Sequence, residues 1–431
     1  MPLYLRACYK PSRIARWTAL LLIVSTASCS SITDVRAPDV VQPSALDNRA
    51  GAETRRAGAI TAFTNALVVR ISVTAPLTDE LFSTVSTGFP ADRRVLPDPD
   101  GIYPYAALQQ TLVNLRQAIS ALQRFAPTPA ANIGQAYALA GYTELFLAED
   151  LCSGVPLGSI VDGDPVFAEP SSTEQIYARA IADFDTAIVN AADSVRILNL
   201  ARVGRARALA DIGQLPTAAA AVAAVPTSFT FSTEHSAAVQ PNLLGNPITP
   251  VASNIQTTVA DREGGNGLDF RSANDPRVTT RLLGKGPDGV TDVYMQTKYT
   301  SMTSPIVVAS GIEARLIEAE ALLASGDAPG ALAKLNALRA TMPGLAPLAL
   351  EASDAARIDQ LFRERAFWMF LTGHRNGDMR RLIRQYSRPG ESVFPTGPYK
   401  GGQLYGIQVT FTPSASEFNN PNYHGCLNRD A

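Results

Sequence analysis

Tryptophan, histidine and cysteine are scarce in this chain, and each shortage narrows what it can do. Of 431 residues only two are tryptophan and three are histidine. The tryptophans are Trp17 and Trp368, so no stacking platform can be built from that residue. The histidines, His235, His374 and His424, stand at no metal-ligand spacing, and no HExxH or GxSxG pattern occurs. Neither a metal nor a cofactor is expected. No basic stripe with interleaved aromatics is present, which argues against nucleic acid as a partner. With 46% hydrophobic and 18% charged residues, the composition is that of a globular protein slightly poor in charge.

The first 28 residues differ from the rest. Arg6, Lys10, Arg13 and Arg16 precede the apolar run ALLLIV, which leads into small residues and Cys29. That is the layout of a secretory signal, and the run is far shorter than the roughly 20 residues that span a bilayer. No further membrane-spanning run is expected. STASCSS resembles the bacterial lipobox, which implies a lipid on Cys29; the alternative is a plain signal peptide with a nearby cysteine. Residues 29–48 are polar, hold two prolines, and read as a flexible tether to a single body over 49–431. Removing the leader takes four of the 37 Lys+Arg and none of the 39 Asp+Glu, which moves the net charge from −2 to −6. In the exported body only Cys152 and Cys426 remain, with no CxxC spacing. They point to one disulfide, the alternative being two independent thiols.

Helical periodicity dominates the body. Ile60, Phe63 and Leu67 share a face, as do Leu108, Leu112, Leu115, Ile119 and Leu122. Ile133, Tyr137, Ala140 and Leu145 mark a third helix and Ile176, Ile181, Phe184 and Ile188 a fourth, which opens on Ser171 and Glu174 at capping-box spacing. Two later stretches, GRARALADIGQLPTAAAAVAAV and EARLIEAEALLASGDAPGALAKLNALRA, each read as helix, glycine turn and Ala-rich helix. Such hairpins are tetratricopeptide-like, because small residues let two helices approach closely. The expected class is all-α in the main, with long irregular insertions over residues 78–105 and 225–310.

ERAFWMFLTGHRNGDMRRL, residues 364–382, packs acids, arginines and a histidine together and raises the question of catalysis. On a helical wheel its apolar residues spread almost all round, whereas Glu364, Arg365, Thr372 and Arg375 fall within an arc of about 100°. A charged stripe on a buried helix is best satisfied by a neighbouring helix, since an unpaired buried charge is very costly. Arg315, Glu318 and Glu320 are the expected partners, and no catalytic residue is assigned. Asp79/Glu80 and Asp98/Asp100 would do glycosidase chemistry only if paired across a cleft. Ligand contact is expected from the insertions: Asp79, Phe82, Phe89, Tyr103 and Tyr105 in the first, Phe270 and Tyr299 in the second.

GYTELFLAEDLCSGVPLG, STEQIYARAIADFDTAI, NDPRV with QTKY, EARLIEAEALLASGDAPGALAKLNALRA, ERAFWMFLTGHRNGDMRRL and FNNPNY occur in the order seen in SusD/RagB-like outer-membrane nutrient-binding lipoproteins. Glu364, Arg365, Gly373, Arg375, Asp378 and Arg381 resemble that family's ER…GxRxxDxxR helix, while Trp368 and Thr372 stand where it usually carries two more glutamates. The resemblance implies a non-enzymatic, lipid-anchored receptor on the outer-membrane surface. Such a receptor binds an oligosaccharide or peptide and passes it to a SusC-like TonB-dependent transporter. The competing readings are a secreted all-α polysaccharide hydrolase or lyase and a tetratricopeptide-like assembly scaffold lipoprotein.

Overall fold

The structure is a computed structural model and describes residues 43–97, 104–161, 164–191, 193–237 and 256–430. Asn48–Ala431 forms one unit; Met1–Asp47 is another, of which the described part is residues 43–47. Cys29 and Tyr103 lie outside the described residues, as do Asp98 and Asp100.

From Arg49 to Trp368 the helices run in sequence order, each packed on the next. Helix α1, Arg49–Leu77, begins where the Asn48 side chain accepts the Gly51 N–H at 3.0 Å. Its length and composition would let it cross a bilayer, contrary to the expectation of no such span; 61% of its apolar window is nevertheless buried inside the protein. Helices α2 (Tyr105–Phe125), α3 (Ala130–Asp150) and α4 (Thr173–Asn190) follow. The pair α3/α4 is the most intimate, and glycine is the reason: a Cβ at Gly141 would meet the Phe184 ring at 3.0 Å. The α4 cap is one residue later than expected. Ser172, not Ser171, accepts the Gln175 N–H at 3.3 Å while Gln175 returns a bond to the Ser172 N–H at 2.8 Å. Ser171 is instead held in a strand with Val155.

Both expected hairpins form. Helices α5 (Val195–Asp211) and α6 (Leu215–Val222) turn at Gly213, and α7 (Gly311–Ala324) and α8 (Ala328–Arg339) turn at Gly326, each glycine left-handed at φ 78° and 85°. The insertions are less irregular than expected. Strand β1 (Leu81–Ser83) pairs with β7 (Thr257–Val259), β6 (Thr230–Ser232) with β10 (Val307–Ser310), and β8 (Thr280–Lys285) with β9 (Asp292–Gln296). The β8–β9 turn carries Pro287-Asp288-Gly289, and Asp288 Oδ1 accepts the Val290 and Thr291 N–H groups at 3.0 and 2.9 Å. Two smaller pairs, β2 (Val155–Pro156) with β5 (Pro170–Ser171) and β3 (Ser159–Val161) with β4 (Asp164–Val166), complete the set.

The stretch 364–382 is two helices, not one: α9, Asp354–Trp368, and α10, Arg375–Arg384. The chain breaks between them at Leu371 (φ 51°) and Gly373 (φ 80°). A Cβ at Gly373 would also stand 2.8 Å from Arg70 Nη1, so glycine is required there twice over. The backbone groups freed by the break are satisfied from the insertions. Glu80 accepts the Leu371 N–H at 2.7 Å, Tyr299 donates its hydroxyl to the Leu371 carbonyl at 2.8 Å, and Lys298 donates to the Phe370 carbonyl at 2.6 Å.

Around this break lies a buried lattice of ion pairs. Glu364 accepts from Arg277 at 2.7 and 3.1 Å and from Arg339 at 2.6 Å. Arg365 forks onto Asp378 at 2.8 and 3.0 Å, Arg375 onto Asp79 at 2.7 and 2.8 Å, and Arg381 bonds Glu320. Of the expected partners only Glu320 takes part in this way; Arg315 and Glu318 pair with each other at 2.9 Å. Arg70 is bound by Glu149 and Asp150, and Arg207 by Glu313 at 2.6 Å. His374 bonds the Thr372 hydroxyl at 2.8 Å, and burial together with Arg207 lowers its pKa to about 4 against the pull of Glu313. It is a neutral packing residue at ordinary pH.

Candidate ligand-binding face

Four of the expected ligand residues belong to this framework, and the structure corrects them. Asp79 is 1% exposed; besides binding Arg375 it accepts the Leu268 N–H at 2.8 Å. Tyr299 caps the α9–α10 break. Phe270 is fully buried between Phe367 and Phe370, with ring centroids 5.0 and 5.1 Å away. Tyr105 is 3% exposed and donates toward the Pro156 carbonyl and Glu417 at 2.9 and 2.8 Å. All four have spent their polar or ring surface on internal partners, which makes them framework residues and leaves that surface closed to solvent.

Phe82 and Phe89 are different, for both are half-buried at the surface. The alternation of β1 sends Leu81 and Ser83 inward and Phe82 outward. A segment near the C-terminus, residues 394–411, closes over this strand. Buried Arg94, left-handed at φ 55°, holds it there by donating to the carbonyls of Pro395, Ile407 and Gln408 at 2.7, 3.1 and 3.2 Å. The clamp brings Tyr399 to 5.5 Å from the Phe82 ring and Tyr405 to 5.2 Å from Tyr399. Gly88 makes room for it: a Cβ there would fall 2.1 Å from the Tyr399 hydroxyl oxygen.

Charge is woven into these rings. The Lys400 ammonium sits 5.0 Å from the Phe82 centroid and donates to the Ser83 carbonyl at 2.6 Å and to Asp288 at 3.3 Å. Asp92 accepts from the Ser83 N–H at 3.1 Å and from the Tyr399 hydroxyl. Glu263 accepts from Tyr405 at 3.3 Å. Burial raises both acids to about 7, against the hydrogen bonds that lower them, and the Asp92 charge adds to the rise at Glu263. Exposed Leu404 and Ile407 flank the cluster. The face therefore offers the half-buried rings of Phe82 and Tyr405, with half-buried Phe89 next to Gly88, and the half-buried Glu263 carboxyl, which can accept or donate near neutral pH; Asp92 is buried and spent on Ser83 and Tyr399. It contains no histidine or cysteine. Among the described residues no group of three or more His, Cys, Asp or Glu is placed to hold a metal ion.

Tyr399, Lys400, Tyr405, Asp92 and Glu263 are absent from the sequence expectation. GPYKGGQLYG carried a usable signal, two tyrosines and a lysine in a glycine-rich loop, but nothing in the sequence placed that loop beside residue 82. The Cys152–Cys426 disulfide does form, with its Cα atoms 6.0 Å apart.

No family model matches the sequence, and no curated protein matches it. Solved structures do. A SusD-like carbohydrate-binding protein of Bacteroides vulgatus superposes with a TM-score of 0.63 at 15% identity, covering 88% of this chain and 97% of the other. A SusD superfamily protein of Parabacteroides distasonis gives 0.66 at 15%, covering 87% and 98%. A SusD/RagB family protein of Bacteroides thetaiotaomicron gives 0.60 at 16%, covering 86% and 94%. The chain has the SusD-like fold, a tetratricopeptide-like helical framework with a face of loops and short strands.

Proposed function

We propose that the protein is a non-catalytic receptor that captures an oligosaccharide or peptide nutrient on its loop face and delivers it to a SusC-like TonB-dependent transporter. In this reading it hangs from the outer-membrane surface by a lipid on Cys29. The observation that carries the proposal is the division of labour in the chain. Glu364, Arg365, Arg375, Asp378 and Arg381 are neutralised inside the framework, Arg365 by Asp378 and the others by Arg277, Arg339, Asp79 and Glu320 from elsewhere in the chain, while Phe82 and Tyr405 are gathered on a clamped outer face. Ring faces and the tunable Glu263 carboxyl give several moderate contacts, which suits capture followed by release. Support comes also from the fold, and from the carbohydrate-binding description of the similar Bacteroides vulgatus protein.

One feature favours the hydrolase reading as a competitor: Glu263 is a half-buried acid raised to about 7 on this face, near the buried Asp92, whose charge adds to the rise. Glycan and peptide panels titrated into the purified protein separate the two. Binding without product release, weakened about tenfold by Phe82→Ala with Tyr405→Ala, supports the receptor, each ring contributing about 0.5–1.5 kcal/mol. Released product that disappears in Glu263→Gln overturns it. Co-purification with a large β-barrel from detergent-solubilised outer membrane, lost in Cys29→Ser, tests the delivery and the anchor.

A further inference from the structure

A cleft of about 510 Å³ opens between α1, α3, the start of α5 and the stretch from β6 to Ser236. That is within the roughly 300–1,000 Å³ of small-molecule sites. It shares no lining residue with the loop face. Its apolar surface comes from Ile60, Phe63, Leu139 and Phe231.

Most polar groups along it are already engaged. Arg56 bonds Glu53 and Gln135, each at 2.8 Å, and the Thr233 hydroxyl is 2.8 Å from His235 Nε2. Two charged side chains are not. Arg196 is exposed and lies with its guanidinium carbon 4.2 Å from the Phe231 centroid, which holds the cation against the ring while leaving the side chain open to solvent. It has no hydrogen-bond or carboxylate partner among the described residues. Glu234, three residues beyond that ring and also exposed, likewise has none. One cation and one anion at the wall of an apolar cleft are complementary to a ligand that carries both charges and an apolar body. A neutral sugar would leave both unpaired, and a simple carboxylate would leave Glu234 so.

We propose that this cleft is a second binding site, for a zwitterionic amino acid or short peptide with an apolar side chain. The ligand's carboxylate meets Arg196, its ammonium meets Glu234, and its side chain lies against Phe231 and Ile60. This site is independent of the proposed loop-face receptor role.

The test is calorimetric titration of the full chain with the dipeptide leucyl-phenylalanine, its C-terminal amide and its N-acetyl form. The free dipeptide is expected to bind, and each blocked form to bind about tenfold more weakly, one charge-assisted contact being lost in each. Arg196→Ala should remove the difference between acid and amide, and Glu234→Gln the difference between free and acetylated amine. Glu234→Gln should leave the unfolding midpoint in place, and Arg196→Ala should lower it only slightly, by the lost contact with the Phe231 ring. No binding of the free dipeptide at millimolar concentration overturns the proposal. Affinity indifferent to blocking either end, or to both substitutions, overturns it as well.

Discussion

Asp79→Asn is the substitution that best separates framework from binding site. The carboxylate and Arg375 are 1% and 7% exposed and meet through two bonds of 2.7 and 2.8 Å. Asparagine keeps the shape and can still accept the Leu268 N–H, but it leaves the guanidinium without its principal counter-charge. Breaking a buried pair by removing one partner costs about 3–5 kcal/mol, a large share of a typical total of about 5–15 kcal/mol. Asp378 and Glu80 also favour the charged Arg375, which places the expected loss toward the lower end. Urea unfolding of Asp79→Asn, Arg375→Leu and the variant with Asp79→Leu and Arg375→Leu together supplies the measurement. Each single change should lower stability by about 3 kcal/mol, and the apolar pair should recover part of that, because no charge is stranded. Ligand capture per folded molecule should be unchanged. An Asp79→Asn protein of undiminished stability that no longer captures ligand would refute the reasoning and return Asp79 to the binding face.

Asp92→Asn should stabilise the protein at pH 8, by about 2 kcal/mol or more, and have little effect at pH 4. The folded-state pKa is raised to about 7, so the stability associated with Asp92 declines as pH rises from about 4 to about 7, and both hydrogen bonds to the carboxyl can pass to the amide oxygen. Glu313 and His374 act in the opposite sense. Their folded values fall to about 2 and about 4, so their contributions are complete above the unfolded values near 4.5 and 6.5 and are lost on acidification toward the folded ones. Glu313→Gln should therefore flatten the acid limb of a stability–pH profile. Tyr105→Ala should lower the unfolding midpoint without affecting capture by the correctly folded fraction, since the ring is buried and its hydroxyl bridges Pro156 and Glu417. Replacing Cys152 and Cys426 with serine should cost about 2–5 kcal/mol in chemical denaturation, the bridge closing a loop of 274 residues.

Much of the framework was legible in the sequence, for a local reason. Apolar spacing at Leu108, Leu112, Leu115, Ile119 and Leu122 and the glycines at 213 and 326 act within a few residues of themselves, and all five leucine or isoleucine positions are buried in α2. The β8–β9 hairpin has a local signal too, Pro287-Asp288-Gly289, but the surrounding segment is so rich in turn residues that the signal does not stand out. The helix break was not legible. Leu371 is a poor residue for φ 51°, and it adopts that conformation because Glu80, Lys298 and Tyr299 arrive from distant segments to satisfy what the break exposes. Aromatic residues in a loop gave equal signals whether they ended inside, as Tyr105 and Phe270 did, or outside, as Phe82 and Phe89 did.

By itself the sequence determined the helical class, the hairpins, the disulfide partners and the need for the charges of residues 364–382 to be neutralised by buried partners. Each follows from spacing along one chain or from the cost of an unpaired ion. Only the tertiary structure decided which partner each ion takes and which aromatics face solvent. It alone carried Tyr399 and Tyr405 to Phe82, more than 300 residues away in sequence, because such contacts depend on long-range packing that no local pattern encodes.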